Sequence, residues 1–190
     1  EDYGWDQPEY DDGALERWLR GPVATRSLLW APGSRDQAPA DGVRGSDGWA
    51  YSNIAFELLA ALVAELRGTS FEVAVAQHVL APLGFDRSTF LLSEAPASQR
   101  LHGYTKNASS GDVSPTNYPY NRRHAGSSTL NASLEDMSRW LAYFTSYDNK
   151  TEEEEEEEEE EGPATGAPAL LSPDSVREMW TEQREMPQER

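Results

Sequence analysis

The sequence predicts an α-rich chain. Three stretches carry that expectation: 53–67, 70–82 and 133–144 each pair a capping residue with apolar residues at helical spacing. In the first, Ser52 or Asn53 caps the start and Gly68 supplies the left-handed stop. Its Leu58, Leu59, Leu62, Val63 and Leu66 form one stripe, expected to be buried. The second opens on Ser70, carries Phe71, Val75 and Val79 at i, i+4 and i+8, and has to end near Pro82, which lacks an N–H and clashes with the preceding turn. The third has Ser133 as cap with Asp136 three residues on, and Leu134, Met137, Trp140, Leu141 and Phe144 expected to face inward. These three helices are the expected core.

Shorter elements flank them. Leu15, Trp18 and Leu19 fall at helical spacing after Asp11-Asp12, and Gly21-Pro22 stops that run. Leu28-Leu29-Trp30 is a brief apolar run ending in the turn Ala31-Pro32-Gly33-Ser34, and 35–48 reads as an exposed loop. Near the end, Ser172-Pro173 is a cap followed by a first-turn proline, opening a short helix with Val176, Met179 and Trp180. Between these last helices lie ten consecutive glutamates, Glu152 to Glu161, and then Gly-Pro-Ala-Thr-Gly-Ala-Pro. Like charges repel and bury nothing, so 148–169 reads as a disordered acidic loop, an insertion separating 1–147 from the terminal helix within 170–190.

At 190 residues the chain has room for one domain with a core of moderate size. Its formal charge is −18, ten of those charges come from the glutamate run, and it has only two lysines, Lys106 and Lys150. Such an acidic chain repels polyphosphate and anionic membrane surfaces, so nucleic-acid binding is not expected. With no cysteine, thiolate metal sites, disulfides and a cysteine nucleophile are excluded. The most apolar stretch, 54–66, is interrupted by Glu57 and Glu65 and is too short to span a bilayer. The first residues show neither Met nor a signal-peptide pattern and look like the middle of something. Asn107, Asn131 and Asn149 begin N-x-S/T tripeptides that matter only in a eukaryotic secretory setting.

Chemistry is best sought at Tyr51-Ser52-Asn53, where a glycine-rich loop meets the N-terminus of the strongest helix. Free N–H groups and partial positive charge there favour an anionic group. A phenol serves as a base near neutral pH only where cations or donors stabilise the phenolate, and an Asn offers both a donor and an acceptor to a substrate amide. Alone, the triplet is a weak signal, and a packed Tyr beside a capping Asn is the commoner meaning of such a pattern.

The surrounding order adds to it. Tyr51-Ser52-Asn53 is followed by Gly68-Thr69-Ser70-Phe71, by Pro82-Leu83-Gly84-Phe85 with Ser88-Thr89-Phe90, by Ser133-Leu134-Glu135-Asp136-Met137-Ser138-Arg139-Trp140, and by Leu170-Leu171-Ser172-Pro173 with Met179-Trp180. This succession resembles the serine β-lactamase and penicillin-binding-protein superfamily, in its class C and DD-peptidase-like esterase branch. Only the loop around 36–48 and the glutamate run fall outside the resemblance, as insertions.

The resemblance implies an α-rich fragment, the helical lobe and its connections, of an α+β β-lactamase/DD-peptidase-like fold. It implies attack by a Ser-x-x-Lys serine, an oxyanion held by backbone N–H groups, and hydrolysis of an acyl-enzyme, with no cofactor or metal. Tyr51 carries over as the proton-relaying catalytic phenol and Asn53 as a substrate-binding residue. Ser128 stands where class C β-lactamases carry a substrate-stacking Tyr. The implied partner is a small-molecule acyl substrate, whether amide, ester or D-amino-acid peptide, and the implied setting is periplasmic or secreted.

Departures from the pattern set the expectation for this chain. Neither Lys106 nor Lys150 completes a Ser-x-x-Lys, and His124-Ala125-Gly126 matches the third motif, Lys- or His-x-Gly, only in the wrong order, before the Glu-Asp-Met helix. The chain is therefore expected to be an internal piece of a larger serine hydrolase, inactive alone. The competing reading is a non-catalytic acidic binding or scaffold module.

Other constellations read as structural. His78, His102 and His124 share no ligand spacing; Asp11-Asp12 and Glu135-Asp136 sit at helix starts, where acids complement the dipole; Tyr3, Trp5, Tyr10 and Trp18 read as a packed aromatic cluster; and Gly126-Ser127-Ser128-Thr129 lacks the second glycine of a nucleophile elbow.

Overall fold

The computed structural model describes residues 8–27, 51–116, 119–148 and 170–181. The expected apolar run at 28–30, the loop at 35–48, Tyr3, Trp5 and the glutamate run lie outside the described residues.

Each expected helix forms. Helix α1 (Ala14–Trp18) continues into a wider π-type turn over Leu19–Val23, closed by Ala24 N–H to Leu19 O at 3.0 Å, with Pro22 inside it. Helix α2 spans Asn53–Arg67; the Ser52 hydroxyl accepts from Ala55 N–H at 3.1 Å, and Gly68 takes φ +62° to end it. Helix α3 (Phe71–Val75), capped by Ser70, also widens into a π-type turn over Ala76–Leu80 before Pro82. An antiparallel hairpin follows, β1 (Gly103–Lys106) against β2 (Val113–Thr116), with Gly103 opposite Thr116 and Lys106 opposite Val113. Both strands are exposed along their length, so no apolar alternation marks them in the sequence. A 3₁₀ turn over Arg122–His124 leads toward α4 (Leu134–Asp148), and α5 (Pro173–Trp180), capped by Ser172, is the last described helix.

The faces that these helices bury differ from expectation. Helix α2 buries Glu57 and Ala60, while Leu58, Leu59, Leu62 and Leu66 are exposed, Leu66 by 75%. The stripe is as amphipathic as expected, but the described residues cover the opposite, small-residue side of the helix. On α4, Trp140 and Phe144 pack inward, yet Leu134, Met137 and Leu141 are exposed, and the buried positions are Asp136 and Tyr143. On α5 only Val176 is buried, and Met179 and Trp180 are exposed.

The core therefore sits between α3 and α4. Leu80, Leu83, Phe85 and Tyr143 form its buried centre, with Val75, Val79, Phe90, Trp140, Phe144, Tyr147 and Leu170 packed around it. Aromatic contacts run along α4: Trp140 and Phe144 lie 4.8 Å apart, Tyr143 meets Phe144 edge-on at 5.2 Å, and Phe85 meets Trp140 at 6.4 Å. The Tyr143 hydroxyl accepts from Leu170 N–H at 3.0 Å and Leu171 N–H at 3.2 Å, and Tyr147 donates to Leu171 O at 2.9 Å. The chain that returns after the acidic run is thus gripped by α4. Burial and the neighbouring Tyr143 hydroxyl push the Tyr147 phenol above its ordinary range.

A second set of contacts joins the amino-terminal region to the 3₁₀ turn. Trp18 is buried and meets His124 edge-on at 5.1 Å, Tyr10 stacks on Tyr120 at 5.5 Å, and Arg122 N–H donates to Glu9 O at 2.9 Å. The Arg122 guanidinium pairs with buried Glu72 of α3 at 2.7 Å and also with Asp12. Arg17 binds both oxygens of Asp11 at 2.7 Å and holds its carboxyl at about 2. These links tie α1 and α3 to the segment that carries the candidate site.

Candidate functional site

Asp136 shows why the most recognisable sequence stretches occur together. Its carboxylate is fully buried and accepts from Ser88 Oγ at 2.7 Å, from Arg87 N–H at 3.0 Å and from Arg139 at 2.8 Å. Burial opposes its ionisation, but these hydrogen bonds and the Arg139 charge outweigh that, and its pKa lies below the usual aspartate value. Arg139 also donates to Gly84 O at 2.7 Å, Ser133 N–H donates to Ser88 Oγ at 3.3 Å, and Phe90 meets Phe71 edge-on at 5.4 Å. The Pro82–Phe90 and Ser133–Trp140 stretches are therefore each other's partners. Asp136 does more than complement the helix dipole, and its work is to join two segments.

Tyr51 and Asn53 stand together at the start of α2. The Tyr51 hydroxyl donates to Asn53 Oδ1 at 2.7 Å, and the phenol is 72% exposed. Ser52, between them, is committed to capping. Among the described residues none buries this ring.

Ser128 lies on an open cleft of about 1010 Å³, whose wall also includes Tyr10, Phe90, Arg100, His102 and Ser127. Tyr51 and Asn53 do not line that cleft. The connection between the two places runs through Glu57, one helical turn after Asn53 on α2 and hence on the same side of the helix. The Glu57 carboxylate is fully buried; it accepts Gly126 N–H at 2.9 Å and Ser127 O–H at 2.5 Å, and Ser127 Oγ lies 2.9 Å from Ser128 Oγ. His124 Nδ1 lies 3.6 Å from the same carboxylate. Gly126 is required by this close approach: a Cβ there would fall 2.5 Å from Phe56 O and 2.8 Å from Ala60 Cβ.

Glu57 was legible only as a break in an apolar run, because a lone acid among leucines reads as a solvated position. The His124-Ala125-Gly126 triplet is likewise explained by packing, with His124 fully buried against Trp18 and Gly126 against α2. His78 and His102 are exposed. Among the described residues no group of three or more His, Asp or Glu is placed to hold a metal ion, and no helix is long and apolar enough to cross a membrane.

Residues 5–186 match the family model described as Beta-lactamase, and the chain belongs to that family. The fold agrees. The chain is similar to the octameric penicillin-binding protein homologue from Pyrococcus abyssi, with TM-score 0.51 and 21% identity over 93% of this chain and 36% of that one. It is also similar to simvastatin synthase (LovD) from Aspergillus terreus, in the LovD6 mutant, with TM-score 0.58 and 18% identity over 90% of this chain and 36% of that one. A third neighbour, the D-amino acid amidase from Ochrobactrum anthropi SV3, matches at TM-score 0.45 and 18% identity over 57% of this chain and 34% of that one. The chain thus spans about a third of the length of these proteins. No curated protein matches it.

Proposed function

We propose that this chain is the helical lobe, with its connections, of a serine acyl hydrolase, 1–147 and 170–190 belonging to one domain and 148–169 being an acidic insertion in it. In this reading the lobe supplies Tyr51 as the proton-relaying phenol and Asn53 and Ser128 as substrate contacts. The acyl-accepting serine and its lysine come from another part of a longer polypeptide.

The observation that carries the reading is the exposed Tyr51 hydroxyl, hydrogen-bonded to Asn53 at the N-terminus of α2. A phenol that relays protons has to reach both solvent and substrate, and a neighbouring amide oxygen fixes its direction. Family membership supports acyl-enzyme chemistry, and the absence of a Ser-x-x-Lys from these 190 residues supports a nucleophile supplied from elsewhere.

Labelling with a fluorophosphonate probe tests this. The longer protein should label, Tyr51→Phe should slow labelling by roughly 10²-fold or more, and the 190-residue chain should stay unlabelled. Labelling of the short chain would contradict the proposal. A full-length coding sequence without Ser-x-x-Lys would leave the acidic binding module as the surviving reading.

A further inference from the structure

A second groove, of about 700 Å³, runs between α1 with its π-type turn and the junction of α2 with α3. None of Tyr51, Asn53 and Ser128 lines it. Leu15 and Leu19 from the first element, and Ala61 and Ala64 from α2, give it an apolar floor.

Charge on its wall is unbalanced. Asp12, Glu16, Glu65 and Glu72 bring four carboxylates against the two guanidiniums of Arg20 and Arg122. Both cations are already committed: Arg20 to Glu16 at 2.8 Å, and Arg122 to Glu72 Oε1 at 2.7 Å, to Tyr10 O at 3.3 Å and to Asp12. Glu65 pairs with no cation among the described residues. Glu72 is the decisive group. Its side chain is only 8% exposed, yet Arg122 occupies just one of its oxygens, and the other accepts no hydrogen bond from a described residue. A carboxylate has about four lone-pair sites, and burying it with half of them unfilled is costly.

We infer that this groove is a binding site for an organic ammonium with an apolar body. The ammonium donates to the free Glu72 oxygen, the Glu65 charge adds attraction, and the hydrocarbon lies on the leucine and alanine floor. A charge-assisted hydrogen bond of this kind is among the stronger ones available, and it leaves the Arg122 pair in place. Anions are repelled by the excess of carboxylates. A hard metal ion is poorly matched, because it requires six or more oxygen ligands and the floor supplies none. The site is independent of the hydrolase reading, since it shares no residue with the phenol–amide pair.

Calorimetric binding of 2-phenylethylamine, charged at neutral pH, and of its neutral isostere 2-phenylethanol to the full-length protein tests this. The ammonium should bind saturably and about 10-fold tighter than the alcohol, the worth of one hydrogen bond to a charged group in a partly open site. In Glu72→Gln the amide oxygen stays with Arg122 and the NH₂ faces the groove, so the preference should fall to about one. Ala61→Phe should abolish binding of both compounds by filling the floor. Ala61 is only partly buried, so the added ring enters the groove and this variant reports even if Glu72→Gln misfolds. Equal binding of the two compounds, no saturable binding of the ammonium, a preference that survives Glu72→Gln, or binding unchanged in Ala61→Phe overturns the inference.

Discussion

Ser88 donates its hydroxyl proton to Asp136 at 2.7 Å, across 48 residues of sequence, and the acceptor is fully buried. That bond, with the Arg87 N–H on the same oxygen, fixes the start of α4 against the segment leaving α3. Asp136→Asn removes the charge that Arg139 faces and turns part of the acceptor pair into a donor. It should destabilise the fold by about 2–4 kcal/mol in urea unfolding at neutral pH.

The pH dependence of the same group has a definite sign. The folded pKa of Asp136 is depressed, so its contribution is fully present above the unfolded value of about 3.9 and is lost as pH falls through the folded value. Urea midpoints measured from pH 6 to pH 2 should fall more steeply below about pH 4 in the unsubstituted protein than in Asp136→Asn. Parallel curves would show that Asp136 is not a source of the acid sensitivity.

Gly126→Ala places a methyl group against Phe56 O, a backbone atom that cannot swing aside. The segment 126–128 has to lift from α2, stretching both hydrogen bonds to Glu57. A loss of about 1–3 kcal/mol is expected in thermal or urea unfolding.

Tyr143→Phe keeps the ring in the aromatic row but removes the oxygen that receives Leu170 and Leu171 N–H. A cost of about 1–3 kcal/mol follows from two stranded donors. Hydrogen exchange at those two amides should speed up more than at the α2 amides, which are far from the change in sequence and bonding.

The leucine face of α2 should make the 190-residue chain sticky. Leu58, Leu59, Leu62 and Leu66 are each more than half exposed and form an apolar strip along one side of the helix. Anilinonaphthalene sulfonate fluorescence should be strong, and the double change Leu59→Lys with Leu62→Lys should reduce it without lowering the unfolding midpoint. A lowered midpoint would mean that the strip is covered within this chain.

Caps, stops and helix lengths were legible because they depend on neighbours in sequence. Ser52, Gly68, Ser70, Ser133 and Ser172 act within a turn of where they stand, and the structure places each as its chemistry requires. Tyr51 beside Asn53 was legible for the same reason, since two residues of separation at a helix start put their polar atoms within reach.

Which face of each helix meets the core was decided only by tertiary structure. Periodicity defines an apolar stripe but not its partner, and in α2 the described residues cover the side bearing Glu57 and Ala60. Glu57 could not be assigned from sequence because a buried carboxylate is tolerable only with donors supplied from afar, here by Gly126 and Ser127, 69 and 70 residues away. The sequence by itself determined the helices, the family pattern and the phenol–amide pair. The fold alone brought Glu57 under Ser127, because hydrogen bonds between distant segments form only once the backbone has placed both ends.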